Sequence, residues 1–74
     1  MNLALLAEKI DTSGLTKTAI AEGLGLTRQG LYNKLDGKTE FTGSELKRIS
    51  AMLNLSEQDK NAIFSADYVD INAN

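Results

Sequence analysis

Four polar residues near the middle of the chain carry side chains that form paired, directional hydrogen bonds. Arg28 and Gln29 are followed one helical turn later by Tyr32 and Asn33, and residues four apart share one face of a helix. An arginine guanidinium can donate two parallel hydrogen bonds to guanine, and a glutamine or asparagine amide can pair with adenine. The same side chains would also suit an exposed, solvated helix face, so the surrounding elements decide how the pattern is interpreted.

Apolar residues on either side of a tight turn at 25–27 predict two short helices that would position this polar face. Pairs of apolar residues four apart give each helix one apolar stripe; they are Ile20, Leu24, Leu31 and Leu35. The helices are expected over about 17–24 and from about 28 to 35 or 36. Gly25 can adopt the positive φ that ends a helix, and Thr27 can cap the next one. Ala21 is small where the two helices must cross closely.

Similar signals for the start and end of a helix recur along the chain and predict five helices. Each of three threonines follows directly after an apolar residue, and a second apolar residue comes four positions after the threonine. This is the pattern of a hydrophobic staple. The pairs are Leu15-Thr16, Leu26-Thr27 and Phe41-Thr42. Gly14, Gly25 and Asn54 are expected to end helices in a left-handed conformation, with Leu15, Leu26 and Leu55 after them entering the core. Other expected core residues are Leu24, Leu31, Leu35, Phe41, Leu46, Ile49, Leu53, Ile63 and Phe64.

Composition limits the possible functions. The chain has 74 residues, no cysteine and no histidine, so it forms one domain without disulfides and lacks the commonest general base and metal ligand. The carboxylates form no persuasive acid–base pair. We expect no enzymatic activity, no catalytic residues, no cofactor and no metal site. No stretch is apolar enough to span a membrane, and a cytoplasmic location is expected.

The net charge of −2 is unevenly distributed along the chain. Residues 16–38 hold four cations against two acids, a local charge of +2, whereas residues 56–74 hold four acids against one lysine, a local charge of −3. Basic surfaces attract nucleic-acid phosphates. A weakly basic face therefore remains possible around the two predicted helices, although its set of cations is thin.

The central stretch resembles the helix-turn-helix of small phage repressors, Cro-like proteins and related bacterial regulators. The resemblance covers roughly residues 3 to 64. It is carried by Ala21, by Gly25 four residues later, by the apolar Ile20, Leu24, Leu26, Leu31 and Leu35, and by the stretch 33–38 that follows. It implies an all-α, compact five-helix bundle of the lambda-repressor-like type, with the third helix entering the major groove of double-stranded DNA.

Site residues are carried over from this resemblance position by position. The side chains expected to contact bases are Thr27, Arg28, Gln29, Tyr32 and Asn33. The side chains expected to contact phosphates are Thr16, Lys17, Lys34, Lys38 and Thr39. Tyr32 has packing beside Arg28 as its alternative role, and Asn33 is equally compatible with a phosphate contact or with solvent. Lys17 replaces a glutamine that many family members use to hold recognition side chains.

The chain divides into a helix-turn-helix domain over 1–65 and a short irregular tail over 66–74. Tyr68, Val69 and Ile71 in the tail are strand-prone but are interrupted by Asp67 and Asp70. Three alternatives remain open for the tail: frayed, packed on the fifth helix, or extended as a dimer-forming or partner-contacting arm.

Two hypotheses for function follow from these observations. The first is a sequence-specific transcriptional regulator, Cro-like or repressor-like and of phage or prophage type, that binds operator half-sites as a homodimer on DNA. The alternative is a modulator that uses the same fold to bind a protein, such as a repressor. The acidic total charge and the thin basic set motivate this alternative. Binding to DNA without any partner would discriminate between the two.

Overall fold

Five helices make up most of the chain in the computed structural model, which describes the backbone of residues 1–72 and the side chains of residues 1–64. The helices are α1 (Leu3–Thr12), α2 (Lys17–Leu24), α3 (Arg28–Leu35), α4 (Gly43–Met52) and α5 (Glu57–Asn72). Residues 1–72 contain no strand. The predicted all-α, five-helix fold is confirmed, and α2 and α3 begin and end where the sequence predicted.

Side-chain caps begin all five helices, because the first N–H groups of a helix have no partner inside it. Asn2, Thr16, Thr27 and Thr42 each accept a hydrogen bond from the backbone N–H three residues later. Before α5, the Ser56 Oγ accepts from the Asp59 N–H at 3.0 Å, and the Asp59 carboxylate accepts from the Ser56 N–H at 3.3 Å. The predicted helix starts therefore rest on local hydrogen bonds.

The core lies where α2 packs against α3 and α4, and where α1 packs against α5. Ten apolar residues are buried there: Leu6, Ile10, Ile20, Ala21, Leu24, Leu31, Leu46, Ile49, Ile63 and Phe64. Leu26, Leu35, Phe41, Leu53 and Leu55 pack against them and are half-buried. The Asn2 N–H also donates to the Ile63 carbonyl at 2.6 Å, which joins the start of α1 to α5.

Leu15 departs from its predicted place in the core, because its side chain is 39% exposed. Gly14 has the predicted positive φ, at +82°. The Leu15 N–H then donates to the Ser13 Oγ at 3.0 Å, and residues 11–16 all lie on the surface. The link between α1 and α2 thus carries Leu15 across the outside of the molecule.

The predicted irregular tail is wrong as far as Asn72, because α5 continues through it without a break. No glycine or proline occurs between Glu57 and Asn72, and a helix that has been nucleated extends at little further cost. The expected extended arm and frayed end are therefore replaced by helix over 66–72. Residues 73 and 74, and the side chains of 65–72, lie outside the described residues, so the predicted contacts of the tail stay predictions.

None of the helices within residues 1–72 combines the length and the apolar character needed to cross a lipid bilayer.

Candidate nucleic-acid interface

The turn between α2 and α3 is closed by backbone hydrogen bonds and fixes how the two helices meet. Gly25 has a φ of +73°, and the N–H groups of Gly25 and Leu26 return to the Glu22 and Ala21 carbonyls at 3.1 and 2.8 Å. This left-handed helix end favours glycine because a side chain there would be strained. Thr27 follows at once as the cap of α3. The two helices are thus joined with only three residues between them.

Packing beneath this turn makes the two helices one rigid unit. Ala21 is 2% exposed, and its small side chain lies in the core with Ile20, Leu24 and Leu31. A side chain at position 30 would be crowded by a neighbour in the same helix. An added Cβ would lie 3.2 Å from the Thr27 Oγ1, which accepts a hydrogen bond from the Gly30 N–H at 3.0 Å. The nearest atom to such a Cβ is thus the cap of the same helix, and not an atom of α2.

The face of α3 that points away from the core carries the predicted base-contacting residues. Thr27, Arg28 and Gln29 are exposed, and Tyr32 and Asn33 are half-buried. Arg28 Nη2 donates to the Tyr32 hydroxyl at 3.3 Å, and Gln29 Nε2 donates to Asn33 Oδ1 at 3.0 Å. All five therefore lie at or beside one surface. On it, two hydrogen bonds each join side chains that are four residues apart.

Two cations lie close to the ring of Tyr32. Its ring centroid is 5.7 Å from the Arg28 guanidinium carbon and 5.9 Å from Lys17 Nζ, distances typical of cation–π contacts. The hydrogen bond from Arg28 lowers the pKa of the Tyr32 hydroxyl and raises the pKa of Arg28. Lys17 of α2 thus reaches the outer face of α3 through a ring contact, at a position where many members of the family that the sequence resembles have a glutamine.

The start of α2 brings together two residues of the predicted phosphate-contacting set. Thr16 Oγ1 accepts from the Ala19 N–H at 3.0 Å, and Lys17 follows as the first helical residue. Lys17 Nζ also lies 3.6 Å from the Asp11 carboxylate at the end of α1. Asp11 was missed from sequence. Only its opposite charge six residues from Lys17 could have indicated the pair.

Lys34, one of the predicted phosphate-contacting residues, is already paired within the protein. Its Nζ lies 2.8 Å from Glu45 Oε1 and 2.8 Å from the Glu40 carbonyl, above the Phe41 ring, and its side chain is 13% exposed. Lys34 therefore joins the end of α3 to the start of α4. Its phosphate contact stays a prediction, and a phosphate would have to compete with Glu45 for the ammonium.

Lys38 and Thr39 remain exposed beyond the end of α3. Gly37 has a φ of +82°, and the N–H groups of Lys38 and Thr39 both approach the Asn33 carbonyl, at 2.9 and 3.4 Å. The loop therefore folds back onto the last turn of α3. Lys38 has no ion pair with any residue of the described part of the chain, so its ammonium is available to a ligand.

Two residues of α4 contact α2 at Gly23, and the sequence did not predict either contact. Arg48 Nη1 donates to the Gly23 carbonyl at 3.4 Å, and a Cβ added at Gly23 would lie 2.6 Å from Met52 Cε. The end of the flexible Met52 side chain thus occupies the space that a Cβ at position 23 would need, so a larger residue there would require Met52 to move. Both contacts join residues more than 20 positions apart, and no local pattern signals such pairs.

The site contains hydrogen-bonding and cationic groups rather than metal ligands. Among the side chains of residues 1–64, no three carboxylates converge on one point. An open groove of about 370 Å³ lies by the end of α3, lined by Leu3, Gly37, Phe41 and others, and includes none of the five predicted base-contacting residues. The chain matches no family model, no curated protein and no solved structure. The geometry of α2, α3 and the turn between them is therefore the main indication of function.

Proposed function

We propose that the protein is a sequence-specific regulator that binds double-stranded DNA with α3 in the major groove. The observation that carries this proposal is the outer face of α3, where Arg28 and Gln29 project from the start of a short, rigidly held helix. Each is held by a partner one turn later. Donor forks and amides fixed in this way suit base edges, because bidentate recognition depends on orientation.

The dimensions of α3 fit this role. Eight residues make a helix about 12 Å long, which is comparable to the width of the major groove and spans about four base pairs. Four base pairs specify a site poorly. We therefore propose that two copies bind an inverted repeat, with half-sites about one helical turn apart.

The phosphate contacts in this proposal come from both sides of the recognition face. Thr16 and Lys17 stand at the start of α2, where free N–H groups and the helix dipole favour an anion. Lys38 and Thr39 stand on the loop after α3. Two lysines and Arg28 per copy form a small cationic set, so the affinity should depend only moderately on salt, with a slope of about −2 to −3 per copy.

A randomised duplex library tests the proposal. The protein is mixed with the library at about 50 mM and about 200 mM salt, and the retained DNA is sequenced. The proposal predicts a two-fold motif at both salt concentrations. Retention without a motif would mean that binding is only electrostatic and would contradict base recognition.

Two substitutions connect such a motif to α3. Arg28→Ala and Gln29→Ala should each reduce the preference at one base pair of the half-site by about ten- to hundredfold, while circular dichroism reports an unchanged fold. Both side chains are exposed or at the surface, so neither change disturbs the core. An unchanged motif in both variants would contradict the assignment of α3.

The second candidate function is binding to another protein, such as a repressor. The pairing of Lys34 with Glu45 and of Lys17 with Asp11 favours it, because both pairs reduce an already thin set of cations. Such a modulator would retain no duplex at either salt concentration when tested alone. It would alter the mobility of DNA only in the presence of its partner.

A further inference from the structure

The hydroxyl and the ring of Tyr32 are both occupied within the molecule. The hydroxyl accepts from Arg28 Nη2 at 3.3 Å, and the ring has the Arg28 guanidinium 5.7 Å and the Lys17 ammonium 5.9 Å from its centroid. A side chain that already holds two cations is poorly suited to read a base itself. The base-contacting role predicted for Tyr32 is therefore the part of the site that most needs revision.

We infer that Tyr32 is a positioning residue: it holds Arg28 for base recognition and holds Lys17 beside it, so that one ring couples a base contact to a phosphate contact. This inference rests on the proposed function. A guanidinium has many rotamers, and fixing it before binding reduces the entropy lost on recognition. The fixed separation of the two cations would also set the register of the base contact relative to the phosphate.

Asn33 has the same relationship to Gln29 and provides an internal comparison. Asn33 Oδ1 accepts from Gln29 Nε2 at 3.0 Å, again across four residues. That pair contains no ring, and among the described residues neither side chain has a hydrogen bond or an ion pair with α2. The two pairs therefore act on neighbouring base contacts, but only the Tyr32 pair connects its base contact to the start of α2.

Tyr32→Phe and Asn33→Ala form a matched test on the duplex recovered by wild-type protein. Binding is measured to all single base-pair variants of that duplex, and Arg28→Ala and Gln29→Ala mark the base pair that each residue reads. Tyr32→Phe keeps the ring and removes the hydroxyl. It should lower the preference about fivefold, the value of one net hydrogen bond, at the Arg28 base pair alone. Asn33→Ala should do so at the Gln29 base pair alone.

Tyr32→Leu tests the contact with Lys17. It removes the ring as well, so it should also weaken binding to every duplex and reduce the salt slope by about 1 per copy, as loss of one phosphate contact would. Tyr32→Phe should leave the slope unchanged. A purely structural role for Tyr32 would instead lower binding to all duplexes without selecting one base pair.

A titration without DNA separates failure of this inference from failure of the proposed function. The absorbance of the two tyrosines is followed with pH, in wild type and in Arg28→Ala. Loss of the Arg28 hydrogen bond should raise the pKa of the Tyr32 hydroxyl toward its ordinary value. No change would overturn the pairing itself. An altered titration together with no base preference in the wild type would overturn base recognition and, with it, the role of Tyr32.

Discussion

Lys34 Nζ at the end of α3 lies 2.8 Å from Glu45 Oε1 in the first turn of α4, and each side chain is only 13% exposed. The same Glu45 oxygen accepts from the Thr42 N–H at 2.8 Å and completes a capping box. One carboxylate therefore begins α4 and holds the end of α3. Helix α3 is thus held at both ends, at its start by the Thr27 cap and at its exit by this pair.

Replacing Lys34 by methionine should destabilise the fold. The apolar stem is kept, but Glu45 loses its partner in a mostly covered site, and an unpaired group of this kind costs about 1–3 kcal/mol. Urea unfolding measures the loss. Lys38→Met, at an exposed lysine four residues later, is the control and should change the unfolding free energy by less than about 0.5 kcal/mol. Equal stability of the two variants would contradict the structural role of Lys34.

The pKa of Glu45 predicts how stability depends on pH. Burial raises this pKa, but the hydrogen bonds from Lys34 and Thr42 outweigh burial and hold it below its ordinary value. The unfolded chain then binds more protons, so the stability from Glu45 is complete above its unfolded pKa of about 4.3 and is lost as pH falls through the lower folded pKa.

Urea unfolding from pH 6 to about pH 3 should therefore show a smaller acid loss in Glu45→Gln than in wild type. Asp59, whose pKa is lowered by Lys9 and by the Ser56 N–H, contributes a separate share, so Asp59→Asn is measured in parallel. An identical pH dependence in wild type and Glu45→Gln would show that the pair is not formed in solution.

Two glycines should respond oppositely to alanine, although both have open space. An added Cβ meets nothing within 4 Å at Gly25 or Gly43, but Gly25 has a φ of +73°. Gly25→Ala should cost about 1–2 kcal/mol because of its left-handed backbone. Gly43→Ala, at the first position of α4, should be neutral or stabilising by up to about 1 kcal/mol. Thermal and urea unfolding compare the two, and a neutral Gly25→Ala would contradict the turn geometry.

Asp11 should weaken binding to DNA by pairing with Lys17 at 3.6 Å. Asp11→Asn frees the ammonium and should raise the affinity for duplexes of any sequence by about two- to fivefold at low salt, an advantage that high salt removes. Glu8→Gln, on the same helix, changes the net charge equally without freeing Lys17. Equal effects of the two changes would mean that only total charge matters. Fluorescence anisotropy with a labelled duplex distinguishes these outcomes.

Sequence patterns predicted the parts of the fold that depend on local chemistry. Thr16, Thr27 and Thr42 cap helices because a hydroxyl can reach an N–H three residues away, and Gly25 ends α2 because its backbone must turn left-handed. Such signals lie within one turn of chain. For this reason the bounds of α2 and α3, and the polar outer face of α3, could be predicted.

Contacts between distant residues were not accessible in this way. The pairing of Lys34 with Glu45, 11 residues later, was missed because it depends on how α4 crosses the end of α3. The continuation of α5 was missed because strand-prone residues between acids indicated an irregular end. Helix propagation from the Ser56 and Asp59 cap prevailed over those local preferences.

An NMR titration tests most directly whether the face around α3 binds DNA. Isotope-labelled protein is titrated with the selected duplex at physiological salt, and amide and side-chain NMR signals are followed. We expect the largest changes in residues 16–17, 27–33 and 38–39, including the Arg28 and Gln29 side chains. Changes concentrated on α1 and α5 with α3 unaffected, or no changes at all, would contradict binding at this face.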